Sequence, residues 1–149
     1  MTRIVSLLAS AVLVTACGRA IATSSVSQSQ LAPPDAFKCV MDQFQKLKFQ
    51  RMSYDTDALR TSARRVNPKI TFSNVQFRKT WDRLDVQIQA GAKGTDVDIT
   101  ATTVAEYFSQ NALNYNTLPP SDDVKDAAQA IQQACGATAT APAAAAPQQ

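Results

Sequence analysis

Residues 84–103 read LDVQIQA, GAKGT and DVDITATT in succession, and this stretch decides the fold. In residues 84–90 apolar side chains alternate with Asp or Gln, and residues 96–103 repeat the alternation with Asp and Thr. A period of two puts every second side chain on the same face of a strand. The glycine-containing residues 91–95 have the length of a hairpin turn. The pattern predicts two antiparallel strands with one buried face.

Weaker strand patterns lie on the amino-terminal side of this hairpin. Residues 49–54 and about 59–66 predict a second pair of strands around Asp55-Thr56-Asp57. Residues 70–77 are apolar enough for a further strand or for a packed loop, and the sequence leaves both open. The sheet is therefore expected to have four or five antiparallel strands.

Amphipathic helices are predicted on both sides of the strands. The first is expected from about residue 36 to about residue 46 with Asp35 as its cap, and the second opens at Ser121 and stops at Gly136. In both, apolar side chains recur at the three-and-four spacing of one helical face. These side chains are Phe37, Val40, Met41, Phe44 and Leu47 in the first helix, and Val124, Ala128, Ile131 and Cys135 in the second.

An apolar sheet face needs a cover, and these helices are the only amphipathic elements that the sequence predicts. The expected fold is therefore α+β, a two-layer sandwich with both helices on one face of an antiparallel meander, in the order α-β-β-β-β-α. Residues 35–136 are expected to form this single domain, whose size is near the commonest for domains.

The amino terminus has the three parts of an export signal. Met1-Thr2-Arg3 is a basic start, residues 4–14 are an apolar run interrupted by two serines, and Val14-Thr15-Ala16-Cys17 ends the run. Eleven helical residues rise only about 16 Å, which is too short for a hydrocarbon core of about 30 Å. Residues 1–16 are therefore predicted to be a signal peptide rather than a membrane anchor.

The last four of these residues resemble the lipobox of bacterial lipoproteins, in which an aliphatic residue and two small residues precede a cysteine. The resemblance implies that Cys17 becomes the acylated first residue of the mature protein, and two or three acyl chains are enough for stable anchoring. Lipoproteins kept in the inner membrane usually have Asp after this cysteine. Gly18 stands there, which favours the outer membrane, facing the periplasm. An ordinary secretory signal cut near Ala16 or Ala22 is the alternative.

Polar, low-complexity segments flank the expected domain. Residues 17–34 are rich in Ser, Thr and Gln and are predicted to be a lipidated flexible tether. Residues 137–149 contain only Ala, Thr, Pro and Gln and are predicted to be a disordered tail.

The chain has three cysteines. Once Cys17 carries lipid, an even pair remains in an oxidising compartment, which predicts a disulfide between Cys39 and Cys135. On the chain-entropy model, closing a loop of this length stabilises a domain by roughly 4–5 kcal/mol. A redox thiol is the alternative, but the chain has neither a Cys-x-x-Cys spacing nor a histidine that would lower a thiol pKa.

Few residue types are available for catalytic or metal chemistry. The absence of histidine excludes Ser-His-Asp and Cys-His catalysis and removes the commonest transition-metal ligand. Glu106 is the only glutamate, and Asp96 and Asp98 are expected on a solvent-exposed strand face. The three Asp residues within 122–126 suit a helix start better than a calcium loop. No catalytic residue, metal site or cofactor is therefore predicted.

Positive charge concentrates in the first half of the domain. Residues 46–83 contain ten Lys or Arg and three Asp, whereas residues 84–149 contain two Lys and seven acids. The cations on both sides of Trp81 are a candidate contact surface for an anionic envelope polymer or lipid, such as lipopolysaccharide or peptidoglycan. They are Arg60, Arg64, Arg65, Lys69, Arg78, Lys79 and Arg83. Arginines that protect an edge strand from pairing are the alternative.

The layout of helix, meander and helix, with a cysteine in each helix, resembles small envelope lipoproteins of bacteria. This resemblance does not imply any particular activity. The leading hypothesis is a membrane-anchored, non-catalytic interaction or assembly module whose partner is another envelope protein. A binding module for an anionic envelope polymer or lipid is the second hypothesis, and an enzyme that relies on Asp or on a thiol is the third. Nucleic acid is not expected as a partner, because an exported protein meets little of it.

Overall fold

The computed structural model describes residues 22–136 as two helices and six antiparallel strands. Both helices pack on one face of the sheet, so the predicted α+β sandwich is confirmed. The predictions for the signal peptide, for Cys17 and for the tail fall outside the described residues. The elements in chain order are β1 Thr23–Ser29, α1 Pro33–Lys46, β2 Gln50–Asp55, β3 Arg60–Val66, β4 Phe77–Gly91, β5 Gly94–Ser109, β6 Ala112–Leu118 and α2 Asp122–Gly136.

The predicted hairpin is the centre of the sheet. Strands β4 and β5 pair along almost their whole length, and their inward side chains meet in the register Leu84 with Ala101, Val86 with Ile99 and Ile88 with Val97. These residues are buried because the helices cover this face. This one-sided burial explains why apolar and polar residues alternate in the sequence.

A two-residue turn closes this hairpin between Gly91 and Gly94, which pair with each other. Gly94 has a φ of +136°, a backbone conformation that residues with a side chain rarely adopt. A Cβ at this position would lie 2.5 Å from the carbonyl oxygen of Ser29. Glycine is therefore required here by both the backbone and the close approach of β1.

The second predicted strand pair is also confirmed. Strands β2 and β3 are antiparallel, with an irregularity between Arg51 and Ser53, and β3 pairs with β4. Residues 70–76, for which the sequence left a strand and a loop open, form no strand, and β4 begins at Phe77.

The predicted tether over residues 17–34 is corrected within its described part. Residues 23–29 form β1, which pairs with β5, and α1 begins at Pro33. The alternate residues Ser25, Ser27 and Ser29 face the helices, and a Cβ at Gly136 would lie 2.5 Å from the Ser27 hydroxyl oxygen. Small polar side chains fill this tight space. The side chains of β1 therefore alternate between the two faces, but the inward positions are not apolar, so the hydrophobic pattern of the sequence does not show the strand.

Strand β6 extends the sheet beyond the strands that the sequence predicts. It pairs with residues 103–109 of β5, whereas β1 pairs with residues 95–101 on the same edge. Its side chains are almost all exposed, because neither α1 nor α2 covers this corner of the sheet. Hydrophobic periodicity depends on burial, so such a strand leaves little trace in the sequence.

The cap of α1 differs from the prediction. Asp35 lies in the first turn, and the N-cap is Ala32, whose carbonyl oxygen accepts hydrogen bonds from the amides of Asp35 and Ala36. Proline suits the first turn of a helix, where an amide hydrogen is not needed and φ is already helical. Pro33 and Pro34 therefore belong to the helix instead of preceding it.

The start of α2 agrees with the prediction. The Ser121 hydroxyl oxygen accepts a hydrogen bond from the amide of Val124 at 3.1 Å, which is the bond of an N-cap. The apolar stripes of both helices then meet the sheet in one core. Its largest fully buried apolar side chains are Phe44, Leu84, Ile99, Ile131, Val40, Val97 and Val124.

The predicted disulfide is confirmed. Cys39 in α1 is bonded to Cys135 at the end of α2, with 5.8 Å between the two Cα atoms. The bond links the two helices and closes a loop that includes five of the six strands, β2 to β6.

Candidate functional site

The sheet face opposite the helices, which we call the open face, has two halves of different charge. In the half near the β4–β5 turn it presents Gln87, Gln89, Asp96 and Asp98. In the other half the same two strands present Lys79, Trp81 and Val104. Acids therefore predominate near the turn and cations in the other half, although Arg60 lies in the first half and Glu106 in the second.

A groove of about 400 Å³ lies in the basic half, and we call it the Trp81 groove. Its walls come from five neighbouring strands, β2 to β6, which the sheet order places side by side. The lining side chains include Met52, Arg64, Trp81, Arg83, Val104 and Tyr115. The groove thus combines aromatic and aliphatic surface with guanidinium groups.

Trp81 is held in place by polar and cationic neighbours. Its indole Nε1 donates a hydrogen bond of 3.0 Å to Glu106 Oε2. The Arg64 guanidinium carbon lies 4.0 Å from the centroid of the indole ring, and Lys79 Nζ lies 4.6 Å from it. A cation over an indole ring is attracted by the ring quadrupole. Trp81 as a residue is only 8% exposed, so it forms the floor of the groove and the cations lie above its ring.

Exposed apolar side chains surround this floor. Met52 is 47% exposed and Tyr115 is 54% exposed, and both line the groove. Phe108 and Leu113 pair across β5 and β6 at the margin of the same half and are also exposed. Single exposed apolar residues are normal on proteins, but a cluster beside a groove is typical of a binding surface.

The structure divides the seven cations that the sequence grouped together. Five lie on the open face: Arg60, Arg64, Arg78, Lys79 and Arg83. Among them only Arg64 and Arg83 line the Trp81 groove. Arg83 is paired with Asp85 at 2.7 Å, and Arg78 lies over the ring of Phe108 at 5.4 Å. Arg60 lies in the other half, beside Asp85 and Asp98.

The other two cations lie on the helical side of the sheet, apart from the five on the open face. Arg65 follows Arg64 in the strand and therefore points to the opposite face. Its Nη1 donates a hydrogen bond of 3.1 Å to the Leu47 carbonyl oxygen. Lys69 lies beyond the end of β3, where Nζ is 2.7 Å from Asp123 Oδ1. Both cations therefore connect elements of the fold.

A buried carboxylate that the sequence analysis missed lies directly behind the groove. Asp82 is fully buried on the helical face, and its Oδ1 accepts hydrogen bonds from the hydroxyls of Ser121 at 2.7 Å and Thr103 at 3.1 Å. Its Oδ2 accepts a hydrogen bond of 3.0 Å from Asn67 Nδ2 and lies 3.8 Å from Arg65. Asp82 thereby joins β4, β5, the connection after β3, and the cap of α2. In residues 84–88 the even-numbered positions are buried, and the same alternation continued back to residue 82 places Asp82 on the buried face.

The remaining acids show no clustered arrangement. Asp98 accepts a hydrogen bond of 3.0 Å from the Ser24 hydroxyl, and Glu106 is committed to Trp81 and lies 3.9 Å from Lys79 Nζ. Lys125 donates a hydrogen bond to Asp122, and this bond together with the positive charge lowers the pKa of that carboxyl. Within residues 22–136 no group of three or more Cys, Asp or Glu side chains is arranged to hold a metal ion.

A larger groove, of about 760 Å³, lies beside the start of α2. Its charged groups are already paired with one another, because Lys69 binds Asp123 and Lys125 binds Asp122. Arg64 in the Trp81 groove has no carboxylate within 4.0 Å among the described residues. The Trp81 groove is therefore the better candidate for an external ligand.

No protein-family model and no curated protein matches the chain. Among solved structures, one described as the crystal structure of Ara h 8.0201 has a TM-score of 0.44 and 12% sequence identity. The match covers 76% of this chain and 91% of that chain. A likeness at this level gives no information about the site, so the Trp81 groove is interpreted from its own residues.

Neither helix in the described part of the chain is long and apolar enough to cross a membrane.

Proposed function

We propose that this protein is a non-catalytic lipoprotein of the bacterial cell envelope, anchored through Cys17, and that its domain is an interaction module. The outer membrane, facing the periplasm, is the proposed location. The contact surface in this proposal is the basic half of the open face. The observation that carries the proposal is the Trp81 groove, in which exposed apolar side chains lie beside cations.

The composition of the groove supports a binding role. Trp, Tyr, Met and Arg are the residue types enriched in protein interfaces, where Trp, Tyr and Arg also supply most of the binding energy. Here Met52, Trp81 and Tyr115 line one groove together with Arg64 and Arg83. The absence of histidine from the sequence supports the non-catalytic part of the proposal.

Binding of an anionic envelope polymer or lipid, such as lipopolysaccharide or peptidoglycan, is the second candidate function. Arg64 favours it, because this guanidinium is stacked on Trp81 and has no carboxylate partner in residues 22–136. A planar guanidinium with unpaired donors suits a phosphate or carboxylate ligand.

Site-specific photo-crosslinking in cells that express the protein tests the proposal. A photoactivatable residue replaces Tyr115 on the open face. As the matched control it replaces Gln129, an exposed position of α2 on the helical side of the sheet. We expect a discrete adduct from position 115 and none from position 129. A protein adduct supports the leading function, and a lipid or glycan adduct supports the second. Equal adducts from both positions, or none from position 115, would refute a contact surface on the open face.

A further inference from the structure

We infer that the Trp81 groove docks on the anionic phospholipid headgroups of the same membrane that holds the lipid on Cys17. This inference deepens the second candidate function and depends on the proposed anchor. It assigns the groove a ligand class, the phosphate-bearing surface of a membrane, and it assigns the domain an orientation.

The first observation is the short connection between the anchor and the sheet. Strand β1 begins at Thr23, six residues after Cys17. Six residues reach at most about 20 Å even when fully extended. An acylated Cys17 at the headgroups would therefore keep the start of β1 close to the membrane surface.

The second observation is the place at which the chain enters the sheet. Thr23 pairs with Ala101, and Leu118 at the end of β6 pairs with Thr103 on the same edge of β5. The chain before β1 therefore meets the sheet where β6 ends. The groove residue Val104 is three residues along β5 from Ala101, a distance of roughly 10 Å. The Trp81 groove thus lies beside the entry point and within the reach of the anchor.

The third observation is charge and polarity. Apolar and aromatic side chains beside Lys and Arg match a membrane interface, where the apolar groups enter the headgroup region and the cations meet phosphate. Arg64, Arg78 and Lys79 lie in the half of the open face that holds the groove. In the opposite half Asp85, Asp96 and Asp98 lie with Arg60 and Lys93, so that half offers an anionic surface no excess of cations. The charge division therefore orients the domain with the groove toward the membrane.

Trp81 is the only tryptophan in the chain, so its fluorescence reports on the groove directly. The test uses the acylated mature protein, which begins at Cys17 in this proposal, extracted from its envelope and reconstituted into vesicles of phosphatidylcholine alone or mixed with phosphatidylglycerol. Some of the lipids carry bromine near the headgroup end of the acyl chains. We expect bromine to quench Trp81 in the vesicles that contain phosphatidylglycerol and to quench it far less in phosphatidylcholine alone or after sodium chloride is added.

Paired variants separate docking at the groove from general charge attraction. A cation near an anionic membrane contributes about fivefold to binding, so Arg64→Gln with Lys79→Gln is expected to weaken docking about 25-fold. The control pair Arg60→Gln with Lys93→Gln removes the same charge from the half of the sheet near the β4–β5 turn and is expected to leave the quenching unchanged. The fluorescence of Trp81 in each variant is divided by its fluorescence in the same variant bound to vesicles without bromine. Arg78→Gln, which does not contact the indole, is expected to weaken docking about fivefold.

The outcomes distinguish the inference from the anchor on which it depends. Protein that does not float with the vesicles refutes the anchor and the inference together. Protein that floats with them but shows no quenching of Trp81, or equal quenching in both kinds of vesicle, refutes the docking inference alone. Equal loss of quenching in the two variant pairs would also refute it, because the groove would then have no special part in the attraction.

Discussion

Replacing Cys39 and Cys135 together by alanine is expected to lower the free energy of unfolding by about 4–5 kcal/mol. The bond spans 96 residues of sequence, so its loss frees a long loop in the unfolded chain. A domain of this size has a net stability on the order of 5–10 kcal/mol, and the variant should be close to unfolding at physiological temperature. Urea titration followed by circular dichroism measures the change.

Reduction of the native protein is the control for this prediction. A reductant should lower the urea midpoint of the native protein toward that of the double variant and should leave the variant unchanged. If the native protein had the same urea midpoint with and without reductant, and the double variant also had this midpoint, a stabilising bond between Cys39 and Cys135 would be contradicted.

Asp82→Ala is expected to cost about 3–5 kcal/mol, because it leaves the groups around a buried charge without their partner. Ser121, Thr103 and Asn67 all donate hydrogen bonds to this carboxylate, and Arg65 faces it. The loss should loosen the cap of α2 as well as the strand pair beneath it. Thermal and urea unfolding measure the change.

Asp85→Ala on the same strand is the matched control. Its carboxylate pairs with Arg83 at 2.7 Å, but both side chains are more than a third exposed. Exposed ion pairs contribute about 0–1 kcal/mol, so this change should be small. Asp82→Asn should lie between the two, since one amide oxygen can still accept the hydroxyl hydrogen bonds. Equal effects of Asp82→Ala and Asp85→Ala would show that the buried network contributes little.

The sequence predicts those elements whose inward positions are apolar. In the β4–β5 hairpin and in both helices, burial forces one face to be hydrophobic, and the period of that face shows the type of element. Strand β1 follows the same geometry, but serine occupies its inward positions because Gly136 of α2 packs directly on Ser27. Strand β6 is exposed on both sides, so no face is constrained. Both strands are defined by backbone pairing with β5, which the side chains do not encode.

The candidate site was predictable only in part. Trp81 and its flanking cations stand out in the sequence, and the structure places Arg64 and Lys79 against the ring. The opposite direction of Arg65 follows from strand geometry, because consecutive residues alternate between faces. Met52 and Tyr115 join the groove through pairings with distant strands. No local pattern indicates which of two exposed faces such residues will occupy.

Mass spectrometry of the amino-terminal peptide of the mature protein tests the central claim of an anchored domain most directly. We predict a peptide that begins at Cys17 and carries a diacylglyceryl group on its sulfur, with a further acyl group on its amine. An unacylated peptide beginning at any other residue would contradict the anchor, and with it the reason for placing the Trp81 groove at a membrane surface.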